Sequence, residues 1–224
     1  MSFKGVLFDL DGVITDTAEF HYLAWKELAD KLGISIDREF NEQLKGVDRD
    51  ESLRRILAFG GKLEEYDAEQ RQALATDKNK EYSKMIAQMT PDNVLPGIVT
   101  FLEQLKAAGK KLALASASKN APAILERLGL SHYFEVIANP TLAKSKPAPD
   151  IFLLAAQGLG LEPQECIGIE DSAAGIQAII DAQALPVGVG SAQNLGENIA
   201  LVDSTAKLNL QFLEQVWQEA HSQK

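Results

Sequence analysis

The chain has 224 residues, 46% of them hydrophobic and 24% charged, and a net charge of −10. That length suits one large core or a core with a smaller companion domain, and the acidic balance argues against nucleic acid or an anionic membrane as partner. A small anionic substrate stays open, since a few lysines and arginines suffice to build a local positive pocket. No apolar run approaches the roughly 20 residues of a membrane span. The opening MSFKGVLFDLD reaches acidic residues too soon for a secretory signal. The single cysteine, Cys166, excludes an internal disulfide and suits a reducing compartment. A cytoplasmic monomer is expected.

The first apolar run, KGVLFDL (4–10), predicts a buried strand. Four helical patterns follow. TAEFHYLAWKELADKLG (17–33) places Phe20, Leu23, Ala24, Leu28 and Leu32 near one stripe, with Gly33 as a stop and Trp25 assigned to the core. DREFNEQLKG (37–46) opens on Asp37 as an N-cap, and DRDESLRRILAFGG (48–61) on Asp48 and Glu51 in capping-box spacing. AEQRQALATDKNKEYSKMIAQM (68–89) is the longest. PGIVTFLEQLKAAG (96–109) then has proline near its start and glycine past its end. From there strands and helices alternate: KLALAS (111–116), APAILERLG (121–129), FEVIA (134–138), DIFLLAAQGLG (150–160), CIGIED (166–171), SAAGIQAIIDA (172–182), LPVGVG (185–190) and a closing helix LQFLEQVWQEA (210–220). Apolar strands alternating with helices predict an α/β, Rossmann-like parallel sheet covered on both faces. A crossover normally needs one helix, yet five lie between the first strand and the second. Residues 17–88 are therefore expected to form a helical cap domain inserted into a core of residues 1–16 and 89–224.

Ligands of open parallel sheets bind beyond the carboxyl ends of the strands, and four of these ends carry polar residues. The first holds Asp9 and Asp11, two carboxylates that repel by about 3 kcal/mol at roughly 5 Å. The second runs Ser116-Ala117-Ser118-Lys119-Asn120, a loop after the third carries Lys144-Ser145-Lys146-Pro147, and the fourth ends Glu170-Asp171-Ser172. Each has a plain alternative: a strand end turning at Asp11-Gly12, a helix N-cap, a loop, a second cap. Together, each after its own strand, they fit a phosphoryl-transfer site. Asp9, Glu170 and Asp171 offer hard oxygen ligands suited to Mg²⁺, and Ser116 with nearby backbone N–H groups can hold a phosphate that Lys146 neutralises. One aspartate can attack phosphorus while the other moves the proton.

The series FDLDGVITDTAEFH, LKGVDR, ALASASKN, SKPAPDIF and IGIEDSAAGIQAI resembles the haloacid dehalogenase superfamily of phosphotransferases across the whole chain, and within it the hexose-phosphate mutases. The resemblance implies interconversion of β-glucose 1-phosphate and glucose 6-phosphate through an aspartyl phosphate, with β-glucose 1,6-bisphosphate as intermediate and activator. It implies Asp9 as nucleophile and Asp11 as general acid and base. Mg²⁺ would be held by Asp9, the Asp11 carbonyl, Glu170 and Asp171. Ser116, the Ala117 N–H and Lys146 would take the transferring phosphoryl group, and Arg49, Ser118, Lys119 and Asn120 the distal phosphate. His21, Lys45, Gly46, Ser52 and Lys78 would line the sugar site, and Thr17 would mark the hinge into a cap whose closure keeps water out. For Arg49 the alternative is a salt bridge within DRDESLRR, for His21 a polar helix face, and for Lys78 a solvated one. Two features depart from the family pattern: Asp48 stands where a small hydroxyl residue is usual, and the shortened loop TLAKSKPAPD carries two lysines, of which Lys146 precedes PAPD. A sugar-phosphate phosphatase that lets water reach the aspartyl phosphate is the main competing function. A non-catalytic, aspartate-phosphorylated receiver is a third, although it needs neither Asp11 as acid/base nor a cap.

Overall fold

The computed structural model describes residues 2–44 and 47–222. In chain order the elements are β1 (Gly5–Phe8), α1 (Ala18–Lys31), α2 (Arg38–Glu42), α3 (Arg49–Phe59), α4 (Ala68–Ile86), α5 (Ile98–Ala107), β2 (Lys111–Leu114), α6 (Ala121–Arg127), β3 (Val136–Ile137), α7 (Asp150–Gly158), β4 (Cys166–Glu170), α8 (Ala173–Asp181), β5 (Leu185–Val189), α9 (Ala192–Leu195), β6 (Ala200–Val202) and α10 (Leu210–Ser222). They fall into two compact units, Met1–Asp16 with Thr90–Lys224, and Thr17–Met89.

The first unit is built on a sheet in the order β3-β2-β1-β4-β5-β6, every pair parallel. Its strands are apolar apart from Lys111 at the start of β2 and Glu170 at the end of β4, because helices cover both faces. On one face Leu7 and Ala113 pack with Ile151, Phe152 and Ala155 of α7 and with Ile176 and Ile179 of α8. On the other, Phe8 meets Phe101 of α5 and Phe134 edge-on, with ring centroids 5.9 and 5.8 Å apart. The strands are shorter than the apolar runs imply, and β6, an edge strand of three residues, went unread: three residues are too few to show a period. The register sets the chemistry. Phe8 pairs with Leu114 and with Ile169, and the ladder continues past the strands as Ala115 N–H donates to Phe8 O and Asp9 N–H to Ile169 O. Asp9 and Glu170 therefore stand at one level of the sheet, and Ser116 follows one residue beyond it on β2.

The second unit is helical. Trp25, Leu28 and Ala29 of α1, Phe40 of α2, Leu53, Ile56 and Leu57 of α3 and Ala75 of α4 share one apolar core. Asp37 caps α2 by accepting from Phe40 N–H, Asp48 caps α3 by accepting from Asp50 and Glu51 N–H, and Asp67 closes a capping box with Gln70 on α4. The α1 stripe differs from the expected one. Tyr22, Ala24, Trp25, Leu28 and Ala29 are buried, whereas Leu23 is 42% exposed. The buried face is turned toward the aromatics at 22 and 25, about a quarter of a turn from the expected stripe. No helix among the described residues is long and apolar enough to cross a membrane.

Candidate active site

β1 ends at Phe8, so Asp9 and Asp11 lie beyond it and strand alternation does not set their directions. Asp9 is the first residue beyond the strand, and a tight turn carries Asp11: Gly12 N–H donates to Thr15 O and Ile14 N–H to Leu10 O. Gly12 has φ +78°, and a Cβ there would lie 2.0 Å from Asp171 Oδ2, so only glycine lets this turn lie directly against Asp171. Gly175 in the first turn of α8 does the same for Glu170, whose Oε2 would be 1.8 Å from an added Cβ. Neither contact is visible as a ligand pattern, although the glycines of DG and SAAG mark both.

Asp9, Glu170 and Asp171 each bring a carboxylate oxygen within 4.8 Å of the others. Lys146 Nζ donates to Asp9 Oδ1 and to Glu170 Oε2, both at 2.7 Å, and all three residues are buried. Lys146 is buried and Lys144 is exposed, which selects the second lysine of the loop; the Lys146–Pro147 peptide bond is cis. The remaining oxygen of Glu170 accepts from the Asp171 and Ser172 N–H groups and from Ser172 Oγ, at 3.0, 3.1 and 2.9 Å. Ser172 Oγ in turn accepts from Gly175 N–H at 3.1 Å. Glu170-Asp171-Ser172 is thus both a helix cap and part of the acidic cluster.

Burial, and then the neighbouring Glu170, push the Asp9 carboxyl up to about 7 against the pull of Lys146. Burial alone would lower the lysine; Asp9 and Glu170 outweigh it and hold the ammonium above the ordinary lysine range. Three carboxylates, two buried and one half-buried, thus gather beside one ammonium, an excess of acidic over basic groups within the cluster. Hard oxygen donors with that excess fit a divalent cation such as Mg²⁺, which takes few carboxylates and keeps room for phosphate and water. Cys166 offers no competing nucleophile, since burial pushes its thiol up to about 12.

Beyond β2, Ser118 N–H donates to Ser116 Oγ at 3.1 Å and Asn120 N–H to Ser118 Oγ at 3.3 Å. Asn120 stands at the N-cap of α6 without a side-chain cap bond, so hydroxyl-to-backbone bonds, rather than a cap, shape this loop. Ser116 is buried, Ala117, Ser118 and Asn120 are half-buried, and Lys119 is exposed.

The helical unit holds a cluster of its own. Lys78 is 3% exposed, which overturns the solvated-face alternative. Its Nζ lies 2.9 Å from His21 Nδ1, and 4.6 and 4.5 Å from the ring centres of Trp25 and Tyr82. Burial, then Lys78 and Arg49, hold His21 well below the usual histidine range. Arg49 donates to Asn79 Oδ1 at 2.7 Å, and within DRDESLRR Arg54 and Arg55 each form an ion pair with Glu51. Ser52 is buried on α3, and Thr17 is buried with its Oγ1 2.9 Å from Tyr82 Oη. Lys45 and Gly46 lie outside the described residues. Asn79, Trp25 and Tyr82 were missed as neighbours of charged groups: their side chains are conventional helix residues until α1, α3 and α4 pack.

Residues 3–183 match the family model of haloacid dehalogenase-like hydrolases. A β-phosphoglucomutase of Bacillus subtilis is 48% identical over 217 residues, 96% of each chain. A fructose-1-phosphate phosphatase of Escherichia coli is 33% identical over 179 residues, 79% of this chain and 90% of that one. The crystal structure of a β-phosphoglucomutase from Clostridium difficile superposes with a TM-score of 0.95 at 47% identity, covering 97% of this chain and 98% of that one. With its parallel sheet, its acidic cluster and these likenesses, the chain belongs to the haloacid dehalogenase-like hydrolase family.

Proposed function

We propose that this protein is a β-phosphoglucomutase, interconverting β-glucose 1-phosphate and glucose 6-phosphate by way of an aspartyl phosphate on Asp9. What carries the mutase reading over a phosphatase one is the 48% identity spread over 96% of both chains with a β-phosphoglucomutase. The buried carboxylate–lysine cluster supports the phosphoryl-transfer chemistry.

In the forward direction the phosphoenzyme gives its phosphoryl group to the 6-hydroxyl of β-glucose 1-phosphate. The hydroxyl oxygen bonds to phosphorus, the P–O bond to Asp9 breaks, and Asp11 takes the hydroxyl proton. The bisphosphate so formed turns end for end. A carboxylate oxygen of Asp9 then attacks the phosphorus at C1, the P–O bond to the sugar breaks, and Asp11 returns its proton to the leaving oxygen. Glucose 6-phosphate departs and the aspartyl phosphate is restored. Asp9, Glu170, Asp171 and the Asp11 carbonyl would hold Mg²⁺, which supplies the positive charge that lets Asp9 act ionised and offsets the phosphate. Ser116, the Ala117 N–H and Lys146 bind the transferring group. Ser118, Lys119 and Asn120 serve the distal phosphate, and Arg49 offers a guanidinium for the same class of anion. Thr17, His21, Lys45, Gly46, Ser52 and Lys78 are assigned to sugar recognition and to the passage between units.

The test is a product partition. The protein is incubated with β-glucose 1-phosphate, Mg²⁺ and a trace of β-glucose 1,6-bisphosphate, and glucose 6-phosphate and free phosphate are measured together. Glucose 6-phosphate should dominate. Rapid phosphate release with little glucose 6-phosphate would make the protein a phosphatase, and neither product would leave a binding module.

A further inference from the structure

Tyr82 has no place in the chemistry above, yet it touches three residues assigned to it. Its side chain is fully buried in α4. Its hydroxyl is 2.9 Å from Thr17 Oγ1, its ring lies 4.1 Å from the His21 ring at an interplanar angle of 35°, and Lys78 Nζ sits 4.5 Å from its centre. One aromatic ring thus has a histidine against it, an ammonium over it and a hydroxyl tie that fixes its rotation.

The geometry also decides how His21 bears its proton. A lysine ammonium can only donate, so Lys78 Nζ at 2.9 Å makes Nδ1 the acceptor and leaves the hydrogen on Nε2. Lys78 keeps that position in a largely dry setting because two ring faces, Trp25 and Tyr82, replace part of its water. Trp25 faces the lysine, and Tyr82 meets Lys78, His21 and Thr17 together. We propose that Tyr82 is a positioning residue that holds Lys78 against His21 Nδ1 and so presents His21 to substrate as an Nε2–H donor. The proposal rests on the assignment of His21 and Lys78 to sugar recognition.

Two readouts test it. The first is the ¹H–¹⁵N long-range spectrum of the imidazoles in the substrate-free wild-type protein, with His21 assigned by its loss in His21→Asn. A neutral Nε2–H tautomer at pH 7 is expected; an Nδ1–H tautomer would overturn the proposal, and this measurement needs no variant at Tyr82. The second compares Tyr82→Phe with Tyr82→Leu. The phenylalanine keeps the ring and should keep the tautomer. The leucine removes the cation–π and stacking faces, and should mix the tautomers and raise KM for the sugar phosphate by about 2- to 30-fold with a smaller change in kcat. A folded leucine variant with wild-type tautomer and KM would overturn the role, as would a loss confined to kcat. Should the leucine variant fail to fold, a phenylalanine variant that loses the tautomer would do so. The spectrum is independent of turnover, so absent glucose 6-phosphate formation by wild type would sink the mutase reading alone. The KM comparison would then use the sugar phosphate that wild type hydrolyses.

Discussion

The two units hold buried lysines by opposite means. In the sheet unit, Lys146 is paired with full charges, Asp9 and Glu170 at 2.7 Å each, and every oxygen of Glu170 is engaged. In the helical unit, Lys78 is held by a neutral imidazole and two aromatic faces. The first arrangement is a charge cluster in which carboxylates outnumber the ammonium, a set of groups that could hold a metal ion. The second surrounds its ammonium with aromatic faces and an imidazole nitrogen. A lysine's partners, rather than its burial, set the character of the place it occupies.

That contrast breaks first at Asp11. Asp11→Asn should slow glucose 6-phosphate formation by about 10²- to 10⁴-fold, the usual span for losing a general acid and base; a near-normal steady-state rate would remove Asp11 from the proton path. Next comes Lys146→Met. Urea unfolding in EDTA should show a loss of about 3–5 kcal/mol, because two buried carboxylates lose their shared partner. A loss below about 1 kcal/mol would mean that the ammonium is not their main counter-charge. Gly175→Ala sharpens the same side: a Cβ 1.8 Å from Glu170 Oε2 must displace that carboxylate. We expect about 1–3 kcal/mol of destabilisation together with a raised Mg²⁺ requirement, and unchanged Mg²⁺ titration would place Glu170 outside the metal set.

The smallest effect belongs to the helical unit. His21 is held below its ordinary value of 6.5, first by burial and then by Lys78 and Arg49. The folded state therefore binds fewer protons than the unfolded one below 6.5. Stability should be fully present above that pH and should fall as the pH drops beneath it, until the folded-state value is reached. One proton limits the slope to about 1.4 kcal/mol per pH unit. His21→Gln should flatten the profile between pH 6.5 and 5, measured as the difference from wild type in urea. An unchanged slope would show that His21 is not the titrating group.

The same contrast explains what the sequence disclosed. The sheet-unit residues were legible because each follows its own apolar strand, and parallel topology gathers strand ends at one edge whatever the loops do. Asp9, Ser116, Glu170 and Asp171 needed only chain order and the ligand rule for such sheets, whereas choosing Lys146 over Lys144 needed the family pattern before PAPD. How they are held was less legible: Gly12 and Gly175 act by having no side chain, and Asp11 is placed by a turn rather than by strand alternation. In the helical unit the four helices could be read, but not which faces meet. The α1 stripe was centred on leucines when Tyr22 and Trp25 set it, and Lys78 looked solvated within ATDKNKEY until α1 supplied His21 and Trp25 from more than fifty residues away. Arg49 and Asn79 likewise met only through the packing of α3 and α4. Backbone topology is written in short apolar runs; side-chain partnership across helices is not.

The central claim is that Asp9 becomes phosphorylated in a divalent-metal-dependent step. Its most direct test is to quench the protein during turnover of β-glucose 1,6-bisphosphate, reduce it with borohydride and map the peptides by mass spectrometry. With Mg²⁺, position 9 should be recovered as homoserine, the reduction product of an aspartyl phosphate, and with EDTA it should be recovered as aspartate. Sustained turnover with position 9 unmodified, or with the phosphoryl group on another residue, would contradict it.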